Sequence, residues 1–217
     1  MNSRCIIYSA ADYYGNTLRP KTADFVIAAD GGYKFVQENA ITANLLVGDF
    51  DSLGEIPNHP NIIRHPVEKD DTDTMLAVRL AIERGYKNIF VFGGTGGKRF
   101  DHTLANIQSL HFAAENKVSM FVFGENYVIS AVCNGTMTFD SKFRGFVSVF
   151  SACDAASGVY LNGLKYTLND VTLSNCIPLG TSNEFINTQA TISVKKGTLF
   201  VIWNTDENSS LPEIEFD

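Results

Sequence analysis

Phe25-Val26-Ile27-Ala28-Ala29-Asp30-Gly31-Gly32 is a strand-length apolar run that stops abruptly on an acid and two glycines. Apolar residues at every position, rather than at alternate ones, are expected of a strand buried on both faces of a parallel sheet. The pattern recurs on either side. Upstream lies Arg4 to Ser9; downstream come Leu45-Leu46-Val47, Asn61 to Arg64, Asn88-Ile89-Phe90-Val91-Phe92 and Val118 to Phe123. Helical periodicity fills the intervals. Met75, Val78 and Ile82 stand at i, i+3 and i+7 ahead of Gly85, a natural helix stop, and Leu104, Ile107 and Leu110 form the stripe of a helix from Asp101 to Glu115. Strands alternating with helices predict a doubly wound α/β domain.

After Glu125 the texture changes. Gln189 to Val194 alternates apolar with Thr, Ser and Gln, while Phe146 to Phe150 and Thr198 to Trp203 are further short β runs punctuated by glycines. With no convincing helix, this half reads as an antiparallel β-sandwich or small barrel. The expected division is therefore 1–125, α/β, and 126–217, β-sandwich, with a frayed tail from Asp206. A length of 217 residues accommodates two such domains.

Composition narrows the function classes. A chain 45% hydrophobic and 19% charged can build a core and is not a disordered segment. No apolar run approaches the roughly 20 residues of a membrane span, and the first residues lack the long apolar region of a signal peptide, so a cytoplasmic location is expected. The formal charge of −7 excludes a wholesale basic surface for nucleic acid. Cys5, Cys133, Cys153 and Cys176 are too widely spaced for zinc pairs and read as free thiols.

In an open parallel sheet, ligands bind at the carboxyl ends of the strands. Carboxylates accumulate there: Asp30 after the second strand, Asp49 and Asp51 after the third, Asp70, Asp71 and Asp73 before a helix, and Asp101 after Gly93-Gly94-Thr95-Gly96-Gly97-Lys98-Arg99-Phe100. Each acid alone could be a turn or helix cap. As a set they suit a hard divalent cation such as Mg²⁺, because Asp49 and Asp51 point the same way and like charges held together call for a cation. The glycines permit close backbone approach to phosphate, although the segment is also consistent with a tight turn. It matches neither a Walker loop nor the G-x-G-x-x-G spacing.

Asp30-Gly31-Gly32, Gly48-Asp49-Phe50-Asp51-Ser52, Lys69-Asp70-Asp71-Thr72-Asp73, Gly93-Gly94 with Arg99-Phe100-Asp101-His102, Gly163-Leu164-Lys165-Tyr166 and Gly180-Thr181-Ser182-Asn183-Glu184 together resemble the thiamine pyrophosphokinase family, in family order and over essentially the whole chain. The resemblance implies a Rossmann-like N-terminal domain, a C-terminal β-sandwich, and a homodimer with its sites in the inter-subunit cleft. It also implies transfer of pyrophosphate from ATP to the thiamine hydroxyl, with Mg²⁺. By motif position, Asp49, Asp51 and Asp73 are implied as metal-binding or catalytic carboxylates. Asp30, Gly31, Lys69, Thr72, Arg99 and Asp101 are implied for the ATP side, and Tyr166, Ser182 and Asn183 for thiamine. Tyr166 stands where some members carry Trp. Asp73 or Asp101 is expected to accept the hydroxyl proton, and His102 to be a helix-start residue. Alternatives are a pyrophosphokinase for another alcohol, such as a hydroxymethylpterin, or a non-catalytic nucleotide- or thiamine-binding module.

Overall fold

The computed structural model describes residues 4–15, 19–50, 57–64, 71–205 and 210–217. The chain divides into two compact units, Met1–Ser109 with Met120–Glu125, and Leu110–Ser119 with Asn126–Asp217.

The first unit holds β1 (Cys5–Tyr8), β2 (Phe25–Ala29), α1 (Gly32–Glu38), β3 (Leu45–Gly48), β4 (Ile62–Arg64), α2 (Asp73–Glu83), β5 (Asn88–Phe92) and β6 (Ser119–Phe123); α3 (Phe100–Glu115) begins in it. Its strands lie in the order β6-β5-β1-β2-β3-β4. The pairs β1–β2, β1–β5, β2–β3 and β3–β4 are all parallel, with Ile7 opposite Ile27 on one side and Val91 on the other. Every residue of β1 is fully buried, as its uniformly apolar sequence requires. From β1 the chain steps outward through β2, β3 and β4, then returns to lay β5 on the opposite edge of β1. The strand order therefore reverses between β1 and β5, and that reversal is where such sheets open a crevice.

The helices sit differently from the expected stripes. On α2 the buried residues are Thr74, Ala77, Val78 and Ala81, and Met75 and Ile82 flank them half-buried. Small side chains let the helix lie close on the sheet, so the buried face follows size as much as hydropathy. On α3 the buried residues are Asn106, Ser109, Leu110, Ala113 and Ala114, and Leu104, expected inside, is half exposed.

The second unit contains β7 (Tyr127–Phe139), β8 (Phe146–Ser151), β9 (Ala155–Asn162), β10 (Leu168–Ser174), β11 (Gly180–Glu184), β12 (Ala190–Asn204) and β13 (Glu213–Phe216). Among the described residues all of its pairings are antiparallel, as expected of the sandwich. β12 is its hub: it pairs with β7 along its length, with β9 through Thr191 to Lys196, and with β8 through Leu199 to Trp203. A strand that changes partners in this way carries one sheet into the next. β10 pairs with β9, β11 with β8, and β13 with β7. The core gathers Phe139, Phe143, Phe185 and Trp203, with Phe139 edge-on to Trp203 at 5.4 Å.

Two expectations are corrected here. The runs Gln189–Val194 and Thr198–Trp203 are one strand, interrupted by a register shift at Lys195-Lys196-Gly197, where Gly197 takes φ +109°. On that strand Ile192, Val194, Leu199, Val201 and Trp203 are buried within the chain, while Phe200 and Ile202 stay half-buried. The tail, expected to fray, ends in β13. Gly135 makes that pairing possible, because a Cβ there would collide with the Glu215 carbonyl.

Candidate active site

At the reversal between β1 and β5, a cleft of about 250 Å³ is lined by residues that include Asp30, Thr72, Asp73, Lys98, Arg99 and His102. Ser9 follows β1 and donates its N–H to Phe92 O at 2.8 Å, and Ala11 N does the same to Gly93 O. Thr74 Oγ1 donates to Ser9 Oγ at 2.9 Å, tying the start of α2 to the end of β1. α1 starts equally close: a Cβ on Gly32 would reach Ser9 N at 3.0 Å and overlap the Tyr8 carbonyl. Helix starts thus converge on one crevice, where the positive ends of their dipoles favour anions.

Asp30 closes β2 with φ +44°, a left-handed conformation that Asp tolerates. Its N–H is held by Val47 O at 2.8 Å, and a Cβ on Gly48 would lie 3.2 Å from Asp30 Cα. Gly31 is the N-cap residue of α1. Asp49 follows at the end of β3, outside the residues that line the cleft, and Phe50 beyond it is buried with φ +62°. Such a conformation is costly for a bulky side chain and marks constrained backbone. Thr72 is the N-cap of α2, accepting from Met75 N, and places Asp73 in the first turn. Asp51, Lys69 and Asp70 lie outside the described residues.

Arg99 and Asp101 form a two-pronged ion pair, Nε to Oδ1 at 2.9 Å and Nη2 to Oδ2 at 2.6 Å. The hydrogen bonds from Arg99 hold the Asp101 carboxyl down at about 2. A carboxylate so weakly basic is a poor proton acceptor near neutrality. Asp101 stands outside the cleft wall and acts on it through Arg99. His102, expected only as a helix-start residue, lines the cleft itself.

Sequence reasoning missed Asn106. It is 4% exposed and donates Nδ2 to Gly94 O at 2.8 Å, fastening the glycine-rich loop to α3. A polar residue amid the buried face of that helix was the available signal.

In the second unit, Asn183 of β11 holds the segment around Tyr166, and Ser182 is its neighbour on the strand. Asn183 is buried; its Oδ1 accepts Tyr166 N at 2.9 Å and Glu184 N at 2.9 Å, and its Nδ2 donates to Tyr166 O at 2.6 Å. Lys165 Nζ reaches Glu184 Oε1 at 2.7 Å across the same two segments. The clamp leaves the Tyr166 ring more than half exposed. Ser182 takes φ +59° and donates its N–H to Ser148 Oγ at 3.0 Å.

Among the described residues, no group of three His, Cys, Asp or Glu side chains could hold a metal unaided. Mg²⁺ sites of nucleotide enzymes normally use one or two carboxylates and complete their shell with substrate phosphates and water. Asp30 and Asp73 on the cleft wall, hard oxygen donors beside Lys98 and Arg99, fit that kind of site.

An open parallel sheet with carboxylates, cations and a glycine-rich loop at its switch point defines a nucleotide-handling α/β enzyme. The family model for the thiamin pyrophosphokinase catalytic domain matches residues 18–122, and that for the thiamin pyrophosphokinase vitamin B1 binding domain matches 136–199. The chain belongs to the thiamin pyrophosphokinase family. It is 30% identical over 187 residues to thiamine pyrophosphokinase of Bacillus subtilis, covering 83% of this chain and 87% of that one. Thiamin pyrophosphokinase 1 of Caenorhabditis elegans is 25% identical over 196 residues, covering 83% and 79%. A crystal structure of the Bacillus subtilis enzyme superposes with TM-score 0.83 at 26% identity, over 94% of this chain and all of that one. The yeast thiamin pyrophosphokinase structure, at 15% identity and TM-score 0.73 over 94% and 86%, shares the fold.

Proposed function

We propose that the chain transfers the pyrophosphoryl group of ATP to the hydroxyl of thiamine, giving thiamine diphosphate and AMP. The observation that carries this is the cleft at the strand-order reversal, lined by Asp30, Asp73, Lys98 and Arg99 in a chain that matches both domains of the family. The functional division is 1–125 for ATP and catalysis and 126–217 for thiamine.

In the reaction the thiamine oxygen forms a bond to the β-phosphorus, the bond from that phosphorus to the bridging oxygen of AMP breaks, and the hydroxyl proton passes to a carboxylate. Asp73 is assigned that proton, because Asp101 is committed to Arg99. Lys98 and Arg99 balance phosphate charge, and helix N-termini orient the chain of phosphates. Lys69 and Gly31 are assigned to the same ATP side. Asp49 and Asp51 are assigned to hold Mg²⁺, which when bound would neutralise phosphate oxygens, and Asp73 keeps the proton-accepting role. Tyr166 offers a ring face for the thiamine cation, and Asn183, next to Ser182 on β11, holds the backbone beneath it.

Phe100, Leu104, Phe146, Ile177 and Leu179 are exposed apolar residues, consistent with a homodimer whose sites lie in the inter-subunit cleft. No helix among the described residues is long and apolar enough to cross a membrane. With the four cysteines unpaired, a cytoplasmic location is the reading that fits.

The test is product analysis. With ATP, Mg²⁺ and thiamine, AMP and thiamine diphosphate should form in equal amounts. Release of ADP, or equal turnover with a hydroxymethylpterin, would refute the assignment.

A further inference from the structure

The glycine-rich loop is held from a second direction, by the segment that follows β1. Tyr13 lies flat on Phe35 of α1, ring centres 3.6 Å apart and 6° from parallel, and its hydroxyl donates to Ser9 O. Its ring fills the space beside Gly93, where a Cβ would come within 2.7 Å of Tyr13 Cζ. Anchored there, the segment turns Asp12 back over the loop, and Asp12 Oδ2 accepts the Gly97 N–H at 2.7 Å. Gly96 and Gly97 both have positive φ, +83° and +70°. A Cβ on Gly96 would lie 2.7 Å from the same Asp12 oxygen and overlap the Tyr14 hydroxyl. The close approach explains why Gly96 has no side chain, and the carboxylate explains where the Gly97 N–H is satisfied.

We infer that Asp12 is a positioning residue for ATP, acting through Gly97 to fix the loop that presents Lys98 and Arg99 to the cleft. The inference rests on the proposed ATP site and adds a residue that the family motifs quoted above do not include. Asp12 takes up the Gly97 amide, so that amide is not offered to phosphate, and the attraction from this part of the loop falls to the two cations that follow it. What the loop requires from position 12 is an oxygen acceptor, and the negative charge is dispensable.

The test compares Asp12→Ala with Asp12→Asn, which keeps an oxygen acceptor and removes the charge. Two readouts are taken: amide hydrogen exchange over residues 96–98 without nucleotide, and steady-state kinetics. Asp12→Ala should speed exchange there by about tenfold, the scale of one lost hydrogen bond. It should raise KM for ATP about three- to tenfold, leaving kcat and KM for thiamine within about twofold. Asp12→Asn should restore both readouts to near the unchanged enzyme. Unchanged exchange in Asp12→Ala overturns the inference. So does an Asp12→Asn variant as impaired as Asp12→Ala, which would make the charge the functional element, or a fall in kcat with KM for ATP unchanged. Should Asp12→Ala speed exchange while ATP fails to slow it in the unchanged enzyme, the ATP site is misplaced. Asp12's hold on the loop then stands, and its effect on ATP is refuted.

Discussion

Asn106→Ala tests whether the glycine-rich loop is fixed from below by α3. The side chain is buried, its amide donates to the Gly94 carbonyl at 2.8 Å, and Gly94 is itself buried. Truncation removes the donor and leaves a carbonyl that water does not readily reach. Leaving a buried acceptor unsatisfied costs about 1–3 kcal/mol, so about 2 kcal/mol is expected. For a chain of this size that corresponds to a fall in Tm of about 4–8 °C. Asn106→Asp should cost at least as much, since it sets a carboxylate oxygen against the carbonyl. Differential scanning calorimetry gives the first number. Kinetics give a second: the loosened loop should raise KM for ATP about fivefold or more, with KM for thiamine little changed. A Tm within about 1 °C of the unchanged protein, together with an unaltered KM for ATP, would show that the carbonyl finds another donor and that the loop does not depend on α3.

Asp73→Asn should lower kcat by at least about a hundredfold while the protein stays folded, whereas Asp101→Asn should chiefly raise KM for ATP by releasing Arg99; equal kcat losses would refute the division of roles. Asp24 receives two hydrogen bonds from Arg4, and these, with the Lys21 N–H, depress its carboxyl below the usual range. Because the folded-state value is the lower one, the pair stabilises fully above about pH 4 and is lost as pH falls through the depressed value. Asp24→Asn should cost about 2 kcal/mol at neutral pH and flatten the acid limb of a urea-denaturation series; an unchanged limb would refute it. Mixing Asp73→Asn subunits with Ser182→Ala, Asn183→Ala subunits should restore part of the activity, and no rescue in proven mixed dimers would place each site within one chain.

The first unit was legible because its strands are buried on both faces and carry that fact as unbroken apolar runs. Phe25–Ala29 and Asn88–Phe92 have the same bounds in the sequence reading and in the fold. The cleft was legible for a related reason: Asp30, Thr72, Asp73 and Arg99 punctuate strand and helix ends, where a sheet of this kind opens. Less was visible where a residue's meaning lies in a distant backbone atom. Asp12 and Gly97 are 85 positions apart, and nothing near Asp12 in sequence announces its partner. The single strand read as two runs because a glycine inside a bulge punctuates a sequence as a turn glycine does, and Gly197 sits at the register shift. The tail misled through its acids: Glu213 and Glu215 alternate with Ile214 and Phe216, an edge-strand pattern too short to stand out from a polar end.

The way β12 is shared has a consequence for synthesis on the ribosome. Strands β7, β8 and β9 precede it, and each finds a neighbour in it, so the sandwich lacks its central element until residue 204 has been added. The parallel sheet has no such dependence, since β6, its last strand, ends at Phe123. Translation would therefore release a nearly complete nucleotide half while some eighty further residues wait, with apolar faces uncovered, for a strand not yet made. Nascent chains arrested between those two points are the species most exposed to aggregation and most in need of a chaperone.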